Sequence, residues 1–207
     1  MTLTCNRLLA THAELWHDAT VHPFLVQCQQ GQIRPEQFNT WLVQDFHFVL
    51  GFTRLAASLL QSAPADHMDL LLGGMGFLKD ELLWFQKKAS DRQLSLAQPL
   101  QPTCKAYCQF MEALRQRPYP VKAAGFWAIE RAYNQAWQEH SPMVPAYAEF
   151  ADRWGNAAFT DYVKQLAVQA DEALAESDTD TQIAAEAVFV RVAELEKDFW
   201  QMAFSTD

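Results

Sequence analysis

Nine prolines decide where this chain can be helical: Pro23, Pro35, Pro64, Pro99, Pro102, Pro118, Pro120, Pro142 and Pro145. A proline inside a helix removes a backbone donor and clashes with the preceding turn, at about 3 kcal/mol. Helices can therefore run in the proline-free intervals 36–63, 65–98, 103–117, 121–141 and 146–207. Each interval carries apolar residues three and four positions apart, the period of a helix buried along one side. Phe38, Trp41, Leu42, Phe48, Val49 and Phe52 make one such stripe, and Val188, Val192, Leu195, Phe199 and Met202 another. Sustained alternation is absent, and so are the Asn-Gly and Asp-Gly pairs that mark tight hairpins. The expectation is an all-α bundle of about eight helices. No repeat, low-complexity tract or linker interrupts it, so residues 1–207 read as one domain.

Half of the 207 residues are hydrophobic, enough for a substantial core. The formal net charge is −9 and there is no basic run, which argues against nucleic acid and anionic membrane surfaces as partners. No apolar run approaches the roughly 18 residues needed to cross a bilayer. The opening "MTLTCNRLLATHAELWHD" lacks the pattern of a secretory signal. In "LLLGGMGFLKDELLWF", Gly73, Gly74 and Gly76 lack the strand and the Gly-Lys-Ser/Thr ending of a phosphate loop. Close helix packing or a helix irregularity is the reading preferred for them.

The four cysteines are Cys5, Cys28, Cys104 and Cys108. Cys104 and Cys108 lie one above the other on a helix, about 6 Å apart at Cα with nearly parallel side chains, so a disulfide there is strained. No Cys-x-x-Cys and no zinc-finger spacing occurs. Reduced thiols in a cytoplasmic protein are expected. Cys104 and Cys108 are either small buried apolar residues, the preferred reading, or a candidate nucleophile.

Four helical stripes each place one acid among apolar neighbours. Glu130 lies with Ala123, Phe126, Trp127, Tyr133, Asn134 and Trp137; Asp45 lies with Phe38, Trp41, Phe48 and Phe52. Glu196 lies with Phe189, Ala193, Phe199 and Trp200, and Glu81 with Leu78, Leu82, Trp84 and Phe85. A carboxylate buried without partners costs several kcal/mol or stays protonated. Any one of the four reads equally well as an edge position or a hydrogen-bonded core acid. Together they point to a polar pocket inside a bundle, a common kind of ligand site. Burial would also raise their pKa values toward those useful for acid–base work near neutral pH. A di-iron site would need Glu-x-x-His pairs, but Trp84, Tyr133 and Phe199 stand three residues after Glu81, Glu130 and Glu196. No metal, haem or other cofactor is expected.

Several segments in order resemble the TenA (thiaminase II-like) family. They are "TVHPFLVQCQQGQI", "FNTWLVQDFHFVLGF", "PTCKAYCQFM", "GFWAIERAYNQAW", "YAEFADRWGNAAF" and "LEKDFWQMAF". The resemblance spans roughly residues 10 to 204. It implies a haem-oxygenase-like helical bundle, a pocket for the thiamin pyrimidine as small-molecule substrate, and a homo-oligomer, dimer or tetramer. The best-known branch carries a cysteine nucleophile where this chain has Gly125. The sequence instead resembles the cysteine-lacking branch, whose Phe-Trp-Ala-Ile-Glu segment ends here at Glu130. That branch is associated with hydrolysis of aminopyrimidine and formylaminopyrimidine to hydroxymethylpyrimidine in thiamin salvage. By resemblance Glu130 and Glu196 are catalytic, Glu196 contacting a ring nitrogen. Asp45 holds the aminopyrimidine edge, and Phe48, Tyr107, Tyr133 and Trp154 are substrate-binding. Glu81 stands where the family has Glu-x-x-x-His, with Phe85 replacing the histidine, and is a supporting acid. A thiaminase using Cys104 or Cys108, and a pyrimidine-binding protein without turnover, are the alternative readings.

Overall fold

A computed structural model describes residues 2–206. Among them there is no strand, so the all-α expectation holds. Ten α-helices and one 3₁₀ turn are present, against about eight expected. The helices are α1 (Cys5–Thr11), α2 (Ala13–Thr20), α3 (Pro23–Gln30), α4 (Pro35–Ser62), α5 (Met68–Asp91), α6 (Pro102–Leu114), α7 (Tyr119–Glu139), α8 (Ala148–Trp154), α9 (Ala157–Ala175) and α10 (Thr179–Phe204). The surplus lies in short helices, α1 breaking from α2 at His12 and α8 standing apart from α9. The prolines act at starts: Pro23, Pro35 and Pro102 are the first residues of α3, α4 and α6, and Pro120 is the second of α7. There the missing donor costs nothing, because the first-turn N–H groups have no partner within the helix. No helix among the described residues is long and apolar enough to cross a membrane.

The chain divides into two compact units. The first runs through Ile33 and resumes from Pro118 to Gln201. Its centre is α7, where 14 of the 21 residues are buried and which α2, α8 and α9 cover. Rings fill the space around it. Tyr133 stacks near Trp200 with centroids 5.5 Å apart, Trp137 near Trp154 at 5.4 Å, and Trp127 near Phe189 at 5.9 Å. The buried Trp200 indole donates to the Ala19 carbonyl at 3.1 Å, so its polar edge is satisfied inside the core. The His-Pro-Phe segment starts α3: His22 Nδ1 accepts the Phe24 N–H at 3.1 Å as a cap, Pro23 opens the helix and Phe24 is buried.

The second unit is Arg34–Arg117 together with the residues from Met202 on. Here α4 packs against both α5 and α6. Gln44 pins the connection between α5 and α6, donating to the Pro99 carbonyl at 3.2 Å and accepting the Gln101 N–H at 2.8 Å. Gln37 and Arg34 donate to the carbonyls of Phe204 and Thr206, tying the C-terminal residues to the start of α4. Of the three glycines of α5, Gly74 is buried, in keeping with the packing expectation, while Gly73 and Gly76 depart from it. A methyl group added at Gly73 or Gly76 would meet nothing within 4 Å, and Leu72, Phe77 and Leu83 on the same helix are exposed. These glycines lie on an open face of a regular helix.

Candidate functional site

In the first unit, α7 carries Glu130 and Tyr133 one turn apart, with Glu130 half-buried and Tyr133 buried. Tyr133 meets Trp154 edge-on at 5.7 Å, and Trp154 sits at the end of α8. The structure thus brings these two expected aromatic residues together on a common ring cluster. Glu196 lies on α10 with 1% of its surface exposed, so its carboxyl group is held inside protein.

Two devices hold Trp154. Asn134, fully buried on α7, donates to the Trp154 carbonyl at 2.8 Å and to Thr160 Oγ1 at 2.9 Å. Its amide therefore ties the end of α8 and the start of α9 to α7. Gly155 follows Trp154 and presses against α7. An added Cβ would lie 2.7 Å from the Ala151 carbonyl oxygen and 3.1 Å from the Gln138 nitrogen, both backbone atoms. Only glycine allows the chain to pass so close.

In the second unit, Asp45 is completely buried on α4. Phe48, one turn on, meets Tyr107 of α6 edge-on at 4.8 Å, and both rings are buried. The charge of Asp45 also reaches Cys104, adding to the burial and hydrogen bonding that push that thiol up. The expected site residues therefore form two sets: Glu130, Tyr133, Trp154 and Glu196 in the first unit, and Asp45, Phe48 and Tyr107 in the second. Glu81 is half-buried on α5, beside the buried Phe85.

Sequence reasoning did not single out Tyr162. Burial, and after it the Glu130 carboxylate, push the Tyr162 phenol well above the ordinary tyrosine range. The phenol stays protonated at neutral pH and can donate a hydrogen bond. A signal for it exists in the α9 stripe of Phe159, Tyr162, Val163 and Leu166. Asn134 was seen only as a member of its stripe, since nothing local shows that its amide clamps two other helices.

Among the described residues no three His, Cys, Asp or Glu side chains are grouped so as to hold a metal ion. The four cysteines are free thiols, as the spacing predicts.

The pattern of the TENA/THI-4/PQQC family matches residues 9–206. A Glycine max protein named "Probable bifunctional TENA-E protein" is 34% identical over 207 residues, covering 94% of this chain and 90% of its own. Among solved structures, a TenA homologue from Pyrococcus furiosus superimposes with a TM-score of 0.92 at 26% identity, covering 96% of this chain and 98% of the other. A second TenA homologue, from P. horikoshii, has a TM-score of 0.84 at 20% identity over 98% of both chains, a likeness of fold alone. The helical arrangement is thus that of the haem-oxygenase-like TenA structures.

Proposed function

The chain belongs to the TENA/THI-4/PQQC family, and from that premise we propose that it is a C–N hydrolase of thiamin salvage. Its substrates are the breakdown products aminopyrimidine and formylaminopyrimidine, and its product is hydroxymethylpyrimidine. The observation that carries this reading is the setting of Glu130. An acid is held half-buried on the most buried helix, one turn before Tyr133 of the Tyr133–Trp154 ring pair, and its charge bears on the buried Tyr162 phenol. The kinship with a protein named "Probable bifunctional TENA-E protein", at 34% identity, supports a thiamin-related role.

The chemistry assigned to these residues balances. In aminopyrimidine hydrolysis the oxygen of water bonds to the aminomethyl carbon and the C–N bond breaks. Glu130 takes a proton from the incoming water and returns it to the departing amine, which leaves as ammonia. Glu196, burdened by burial when charged, is suited to carry a proton and donate it to a ring nitrogen, drawing electrons away from the breaking bond. Asp45 accepts from the exocyclic amine of the pyrimidine. Phe48, Tyr107, Tyr133 and Trp154 are assigned to substrate binding on the family resemblance, and a ring stacked on the pyrimidine contributes about 0.5–1.5 kcal/mol beyond area burial. With the formylated substrate, Glu130 activates water for attack on the formyl carbon, and formate leaves. Thiamin is a poor substrate in this reading, because the buried Gly125 offers no nucleophile. The open face of α5, with Leu72 and Phe77 exposed beside Gly73 and Gly76, supports association into a homo-oligomer.

The test is ammonia release from aminopyrimidine. Glu130→Gln should fold and bind pyrimidine normally while kcat falls at least ~100-fold, the low end for a positioned general acid or base. Asp45→Asn should act mainly on KM. Wild-type kcat in Glu130→Gln would remove the carboxylate from the mechanism, and pyrimidine binding without any turnover in the wild type would make the protein a binder.

A further inference from the structure

A second cleft lies wholly within the second unit, between α4 and α6. Its volume is about 290 Å³, and His47, Gly51, Arg54, Leu100, Cys108 and Glu112 line it. Gly51 lies beside Cys108 there: an added Cβ would stand in ordinary contact with the Cys108 sulfur at 3.5 Å and press on Met111 Cε at 2.9 Å. Cys108 is half-buried and opens to the cleft, whereas Cys104, one turn earlier on α6, is fully buried. The Arg54 side chain is exposed at the cleft and its charge bears on Cys108. Glu112 is engaged by Arg115 on its own helix.

We propose that Cys108 is a covalent modification site that forms mixed disulfides with small carboxylate-bearing disulfides entering this cleft. The step is thiol–disulfide exchange. The Cys108 thiolate attacks one sulfur of the incoming disulfide, the external S–S bond breaks, and the released thiolate takes a proton from water. The small disulfide is the oxidant, and Cys108 and one half of that molecule share the new bond.

Three features converge on Cys108 rather than on another thiol. Cys108 alone of the four thiols is not fully buried, its S–H donating to the His47 carbonyl at 3.9 Å, whereas the S–H of the buried Cys104 is spent on the Gln44 carbonyl at 3.3 Å. The nearness of the Cys104 sulfur, with the Arg54 charge assisting, holds the Cys108 thiol below its ordinary value despite burial. Cys104 retains its proton, pushed up chiefly by that same pairing. Burial pushes the thiols of Cys5 and Cys28 up as well, which leaves Cys108 with the greatest thiolate character of the four. An internal Cys104–Cys108 disulfide is out of reach, because Cβ atoms one helical turn apart are about 5–6 Å from each other and a disulfide needs about 3.5–4.5 Å. The stable oxidised product at Cys108 is therefore a bond to an outside thiol. The guanidinium of Arg54 selects for carboxylates on it.

The probes are oxidised glutathione, which is anionic, and cystamine, which is cationic, each applied to the native full-length protein and read by intact mass and peptide mapping. One adduct per chain is expected, at Cys108, forming at least about tenfold faster than at any other cysteine. Arg54→Gln should slow the reaction with oxidised glutathione more than that with cystamine, and Cys108→Ser should abolish both adducts. A first adduct on Cys5, Cys28 or Cys104, or none on the native protein, overturns the assignment. Equal slowing of both probes in Arg54→Gln overturns the charge selection. Mapping on the wild-type protein decides the site even where Cys108→Ser folds poorly.

Discussion

The Tyr162 phenol on α9 lies within the field of the Glu130 carboxylate on α7, and that charge, added to burial, raises the phenol's ionisation above the ordinary range. Two helices thus bring a carboxylate and a protonated phenol within electrostatic range of each other. A donor facing a carboxylate favours its charged form. Tyr162→Phe removes the hydroxyl while keeping the ring, so the acid limb of the kcat–pH profile for pyrimidine hydrolysis should move to higher pH. An unmoved limb, with activity intact, would separate Tyr162 from the acid.

Asn134→Ala should loosen Trp154. The substitution leaves the Trp154 carbonyl and the Thr160 hydroxyl without the amide that each now meets. Losing a buried polar partner costs about 1–3 kcal/mol, a drop of several degrees in Tm for a chain of this size. Tryptophan emission should shift toward the red as the indole gains water. A melt and emission spectrum matching the wild type would show that the clamp contributes nothing.

Gly155→Ala brings a methyl group against two backbone segments, neither of which can rotate away as a side chain could. Overpacking of this kind costs about 1–3 kcal/mol. Gly73→Ala, on the open face of α5, should instead stabilise by up to about 1 kcal/mol, because alanine is the better helix former and meets no obstacle. Chemical denaturation of both variants checks the contrast, and equal effects would contradict it.

His22 links α3 to pH. Its Nδ1 must be unprotonated to accept the Phe24 N–H, and Nε2 then donates to Gln201 at 3.2 Å. Burial is the main cause holding the ring below its ordinary value of 6.5. The unfolded chain therefore binds the proton more readily than the folded one. The stability that follows is fully present above pH 6.5 and is lost as pH falls below it toward the depressed folded value. His22→Asn keeps a cap acceptor and should flatten this loss between pH 7 and 5, whereas His22→Ala should cost about 1 kcal/mol already at pH 7. Identical pH profiles for wild type and His22→Asn would exclude the linkage.

The burial of two candidate acids was legible because it rests on helical period. Asp45 and Glu196 fall among buried rings on their stripes, as the spacing predicts. The same spacing did not distinguish them from Glu130 and Glu81, which remain half-buried. A stripe shows which side of a helix is apolar, but how far the covering helices extend over each residue is a matter of packing. Tyr162 went unmarked because its partner Glu130 belongs to a different helix, and periodicity relates only residues on the same one.

By itself the sequence determined the helical class and four of the ten helix starts among the described residues, since a proline's locked φ and missing donor act within one turn. Pro23, Pro35, Pro102 and Pro120 thus mark α3, α4, α6 and α7 without reference to the rest of the chain. The proline-free interval 146–207 holds three helices rather than one. Its break after Trp154 comes at Gly155, pressed against the backbone of α7, and Asn156, which caps α9 by accepting the Phe159 N–H at 2.9 Å. Tertiary structure alone decided that Asn134 would hold Trp154, that the Glu130 charge would bear on Tyr162, and that Cys108 rather than Cys104 would open to a cleft. Each depends on the distance between residues remote in sequence, and that distance is set by helix packing rather than by any local preference of the chain.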